Sequence, residues 1–99
     1  MAPTSCALDE TGLAEQLGRY RAVGRHSALV ARDARRIVVD VGSEVPGGLV
    51  DKLIAVERGC CPFFDVDWRP PERRLTVAVR GSEHEQALSA IAAALADSA

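Results

Sequence analysis

The chain has 99 residues, of which 47% are hydrophobic and 26% charged, and a formal net charge of −2. This is the composition of one folded domain over residues 1–99; it excludes a disordered tail and a molecule that binds polyanions through overall charge. No apolar run approaches the roughly 20 residues that span a bilayer. Met1 to Ser5 lacks the basic end and apolar stretch of a signal peptide, so a cytoplasmic setting with reduced thiols, and no membrane partner, is expected.

In chain order, the first helix is expected from about Glu10 to Val23, with Leu13, Leu17 and Tyr20 on one stripe and Gly24 as its stop. A hairpin follows, with strands His26 to Arg32 and Arg36 to Val41 joined at Asp33-Ala34-Arg35. Ile37, Val39 and Val41 share a face of its second strand. After a loop from Gly42, a second helix starts at Gly47 or Gly48. Leu49, Leu53, Val56 and Cys60 form one stripe on it, and Val50, Ile54, Glu57 and Cys61 the next. Pro62 ends that helix near Cys61.

Phe63 to Trp68 is the third strand, with Phe64, Val66 and Trp68 on one face and Asp65 and Asp67 on the wet one. Arg69 to Arg73 turns the chain, and Arg74 to Arg80 returns with Leu75, Val77 and Val79 inward. Ser82 to Glu85 fits a capping box opening the last helix, whose buried stripe is Leu88, Ile91 and Leu95. The order α-ββα-ββα implies an α+β fold, a single four-stranded sheet with helices packed on one face. If the strands on either side of the second helix share that sheet, they run parallel through a right-handed crossover.

Charge is uneven along the chain. Arg19, Arg21, Arg25, Arg32, Arg35 and Arg36 cluster with Asp33 as the sole acid among them, while Glu44 to Asp67 leans acidic. No nucleic-acid motif overlies the arginines, and Tyr20 is their only interleaved aromatic, so nucleic acid is not an expected partner.

The three cysteines, Cys6, Cys60 and Cys61, are the residues with chemistry beyond folding. Their odd number and the strain of a vicinal ring argue against a disulfide framework. Three thiols suit a soft ion such as Hg(II), As(III) or Cu(I), or Zn(II) with one histidine. His84, on the stripe of Leu88 and Ile91, is the candidate fourth ligand; the direction of His26 is open. Cys60 follows Leu53 and Val56 and is expected to point inward, with Cys61 at the boundary. Glu57 and Asp65 flank the thiols, and Glu57 serves as an acceptor behind the ligands at most; such carboxylates are ordinarily solvated or paired with arginine. The alternative is that the thiols are small core hydrophobes. A helix C-terminus carries partial negative charge, which works against forming a thiolate there, and no His–Asp pair accompanies the motif. No catalytic residue is assigned, and binding is expected ahead of catalysis.

Cys6 and Leu8, then Gln16-Leu17-x-Arg19-Tyr20, then Glu57-x-x-Cys60-Cys61-Pro62-Phe63-Phe64-x-Val66 form a pattern. It resembles small bacterial domains with an Glu-x-x-Cys-Cys-Pro-Phe motif, some of them appended to regulators of the mercury-resistance-regulator (MerR) type. The resemblance spans nearly the whole chain, and its distinctive part is the Glu-x-x-Cys-Cys-x-Phe run. It implies a sensory or accessory role near metal or stress responses, with this chain as a stand-alone version without DNA binding. Two functions are thus carried forward. One is binding or sensing of a soft metal ion or thiol-reactive compound through Cys6, Cys60, Cys61 and His84. The other is a protein-interaction or dimerisation module with structural cysteines, whose partner is a second copy or a regulator protein.

Overall fold

Alternating β-branched residues build the sheet, and the most apolar strands take its centre. A computed structural model describes residues 10–60 and 63–96. Its elements are α1 (Glu10–Gly24), β1 (Ala28–Arg32), β2 (Arg36–Asp40), α2 (Gly47–Cys60), β3 (Phe64–Arg69), β4 (Arg74–Val79) and α3 (Glu85–Ala96). The four strands form one sheet in the order β1-β2-β4-β3, and every neighbouring pair is antiparallel. The fold is α+β, as the element order implies.

β2 and β3 both run against β4, so they run parallel to each other in one sheet, as the crossover reading requires. They are not neighbours, however, because β4 lies between them. Burial accounts for this. Leu75, Val77 and Val79 of β4 are all buried, whereas β3 offers half-buried Phe64, Val66 and Trp68 alternating with exposed aspartates, a pattern that suits an edge. β1 is the other edge. A bulge between Leu29 and Ala31 puts Val30 outside the ladder, 48% exposed, and the first strand starts at Ala28 rather than His26.

The core lies on one side of the sheet. Ile37 and Val39 of β2 and Leu75, Val77 and Val79 of β4 meet Tyr20 and Val23 of α1, Val50, Leu53 and Ile54 of α2, and Leu88, Ile91 and Leu95 of α3. Each such side chain contributes about 1.5–3 kcal/mol by leaving water. α3 packs on α1 and across β1, β2 and β4, while α2 packs on α1 and β3. The close approach of α1 to α3 requires Gly24, since a Cβ there would overlap the Leu95 carbonyl.

Two local expectations are corrected. The inward face of α1 is Gln16, Tyr20, Val23 and Gly24, and Leu13 is 46% exposed. Polar Gln16 takes the inward place because its Nε2 donates to the Leu53 carbonyl at 2.9 Å, satisfying both groups out of water. The Ser82–Glu85 capping box does not form. Ser82–His84 is a 3₁₀ turn with no side-chain cap, and Glu85 instead pairs with Arg35 at 2.8 Å.

One arginine fixes where α2 begins. Arg73 has φ 50°, a left-handed conformation rare outside glycine, and its guanidinium donates to the carbonyls of Val41, Gly42 and Val45 at 3.3, 2.9 and 2.7 Å. It also lies 5.9 Å from the Trp68 ring centre. The β3–β4 turn is thereby tied to the loop that leads into α2.

Candidate functional site at the end of α2

Helical spacing decides which side chains α2 buries at its C-terminal end. Val50, Leu53, Ile54 and Glu57 are its buried residues, while Val56 and Cys60 are only partly covered. The inward expectation for Cys60 is therefore corrected. The buried stripe runs through Val50, Leu53, Ile54 and Glu57, with α1 bonded to α2 at Leu53 and Glu57, and Cys60 is left half-buried at the helix end. Cys6 and Cys61, the other two proposed ligands, lie outside the described residues, as does Pro62. Among the described residues no three His, Cys, Asp or Glu side chains gather as an ion would require.

His84 is brought to this end of the molecule by the 3₁₀ turn ahead of α3. Its ring is buried and stacks on Phe63, with centroids 4.2 Å apart and planes 6° from parallel. Phe63 directly follows the Cys-Cys-Pro run and also meets Phe64 at 4.6 Å. The α3 entry thus packs on Phe63, the residue just before β3. Glu83 lies 3.9 Å from His84 Nε2. His26 lies elsewhere, exposed and 3.4 Å from Glu44.

The cation beside the thiols is committed elsewhere: Arg58 donates to the Val66 carbonyl at 3.1 Å and so ties α2 to β3. Asp65 is likewise held away, in a two-armed pair with Arg80 at 2.8 and 2.9 Å on the wet face of the sheet.

Glu57 is the residue that the sequence reading undervalued. It is neither solvated nor paired with arginine; it is 1% exposed between α1 and α2. Tyr20, itself fully buried, donates its hydroxyl proton to Glu57 Oε2 at 2.5 Å. Glu57 Oε1 is buried with no hydrogen-bond partner among the described residues. Gln16 completes the group, accepting from Arg19 Nη1 at 2.7 Å while its own amide holds Leu53. Burial raises the Glu57 carboxyl above the ordinary carboxylate value, and the Tyr20 hydroxyl only partly offsets this. Burial likewise raises the Tyr20 hydroxyl, and the adjacent Glu57 charge adds to the effect. A signal for this existed: Glu57 stands on the Val50–Ile54 stripe, one turn after Ile54.

Among the described residues, the half-buried Cys60 thiol, the Glu57 carboxyl held by Tyr20 and the His84 ring stacked on Phe63 thus stand as three separate features rather than one cluster. No nucleophile–base pair is present there among the described residues. No protein-family model matches the chain, and no curated protein or solved structure matches it either.

Proposed function

We propose that the end of α2 binds a soft metal ion or a thiol-reactive compound, with Cys60 and Cys61 as the primary ligands, Cys6 as the third and His84 as an optional fourth. The ion class is Hg(II), As(III), Cu(I) or, with the imidazole, Zn(II). The observation that supports this reading is the Phe63–His84 stack. The buried His84 ring stacks on Phe63, which follows Cys60, Cys61 and Pro62 directly in sequence, so a histidine from an element distant in sequence contacts a residue next to the thiol run. The setting is a reduced, cytoplasmic one, in which the thiols stay available. The Glu-x-x-Cys-Cys-Pro-Phe pattern agrees with an accessory role of this kind.

The experiment is titration of the reduced protein with Hg(II), As(III) and Zn(II), counting free thiols and following the melting temperature. Binding removes thiols in step with added ion and raises the melting temperature by mass action. Thiols that remain countable, with no thermal shift for any of the three, would end this reading. A second reading, a dimerisation or protein-interaction module with structural cysteines, draws on the sheet face that no helix covers.

A further inference from the structure

The side of the sheet facing away from the helices carries an ordered charge pattern. The register places three rows across it: Arg36–Ala78–Asp65, Val38–Thr76–Asp67 and Asp40–Arg74–Arg69. Asp40 pairs with Arg74 at 2.9 Å, Asp65 with Arg80 at 2.8 Å and Asp67 with Arg69 at 3.1 Å. Two charged side chains are left over. Neither Arg36 nor Glu72 makes a side-chain hydrogen bond or ion pair among the described residues. Both line one hollow of about 360 Å³ whose wall includes Thr76. They approach it from opposite ends, Arg36 from the start of β2 and Glu72 from the β3–β4 turn. Between them the face is small and partly apolar, with Thr76, Ala78 and Val38, the last 6% exposed.

We infer that this face is the contact between two copies of the chain, held by Arg36 of each copy against Glu72 of the other. A two-fold axis lying between the sheets, along the Val38–Thr76–Asp67 row, exchanges the two ends of the strands. It brings the uncommitted guanidinium of one copy toward the uncommitted carboxylate of its mate, twice per dimer, which is the self-complementarity an isologous interface demands. The occupant is a second copy because the spare charges match each other in number and sign and sit at exchanged ends. A basic or acidic partner would satisfy one and leave the other unmatched. Four strands of this length present a face of roughly 350 Å² in plan, about 700 Å² for the two copies together and below the roughly 1,200 Å² at which stable interfaces begin, so the dimer is weak and dissociates on dilution. This contact involves no thiol and stands apart from the site at the end of α2.

Sedimentation velocity on the full chain, from micromolar to about 1 mM, tests it. The wild type shifts from monomer to dimer with concentration. Arg36→Glu and Glu72→Arg each hold the protein monomeric, since each sets like charges opposite one another, and the Arg36→Glu/Glu72→Arg double variant restores the dimer. Far-UV dichroism of each variant checks folding, which these exposed positions leave intact. A wild type that stays monomeric overturns the inference. So does a dimer indifferent to both single substitutions, and so does a double variant that fails to recover.

Discussion

Tyr20→Phe isolates the buried carboxyl between α1 and α2. The substitution keeps the ring and its packing and removes the one hydroxyl that donates to Glu57 Oε2. With Oε1 already unpartnered, both carboxylate oxygens are then buried without that donor. A hydrogen bond to a charged group is worth about 1.5–3 kcal/mol, and one between neutral groups about 0.5–1.5 kcal/mol. The loss therefore depends on the protonation of Glu57. In the folded protein the carboxyl is raised, so the stability it contributes is fully present below the ordinary carboxylate value and is lost as the pH climbs through the raised one. The Tyr20 bond opposes that rise, and without it the carboxyl shifts further up, so the variant loses more than the wild type across the same window. Urea unfolding followed by the fluorescence of Trp68, the single tryptophan, reads the difference. Above the raised carboxyl value, where Glu57 is charged, the expected cost is about 2 kcal/mol, or roughly 10 °C in melting temperature for a chain of this size. Below the ordinary carboxylate value, where the raised carboxyl is neutral, the cost falls to about 1 kcal/mol. In a Glu57→Gln background the pH dependence of the loss disappears. A loss that stays the same from acid through the wild type's own carboxyl transition to high pH, or is larger in acid, would refute the assignment of Glu57 as a buried, hydrogen-bonded acid.

The other predictions concern the supports around the site. Arg73→Ala removes a guanidinium that serves three carbonyls and is expected to cost about 2–3 kcal/mol by chemical denaturation, partly offset in Arg73→Gly, which relieves the left-handed backbone. Gly24→Ala drives a methyl into the Leu95 carbonyl, and a loss of at least about 2 kcal/mol is expected, with faster amide exchange in α1 and α3. His84→Ala removes the ring stacked on Phe63; near-UV dichroism should change, and Zn(II) affinity should fall more than Hg(II) affinity, because two thiolates suffice for mercury.

The strands with one buried face were legible in full. In β2 and β4 the period-2 runs Ile37–Val39 and Leu75–Val77–Val79 admit a single inward side, and Leu88, Ile91 and Leu95 do the same for α3. The insertion of β4 between β2 and β3 was not legible, since periodicity records which face a strand buries and not which neighbour it takes. The buried side of α1 was misplaced because its inward positions are held by Gln16 and Tyr20, which belong there through hydrogen bonds to α2 and not through apolarity. The same bias hid Glu57. A carboxyl is assigned to solvent by default, and its burial follows only from a tyrosine contributed by another helix, 37 positions away. His84 was placed correctly on the core side, but its contact with Phe63 depends on how α3 crosses the sheet.

Native mass spectrometry of the reduced chain with Hg(II) tests the central claim most directly, because one spectrum reports both the ion and the protons it displaces. The account predicts one ion per chain with a proton lost from each coordinating thiol, and binding that collapses in Cys60→Ser/Cys61→Ser. A chain that takes up no ion, or one that binds equally well without Cys60 and Cys61, would contradict it.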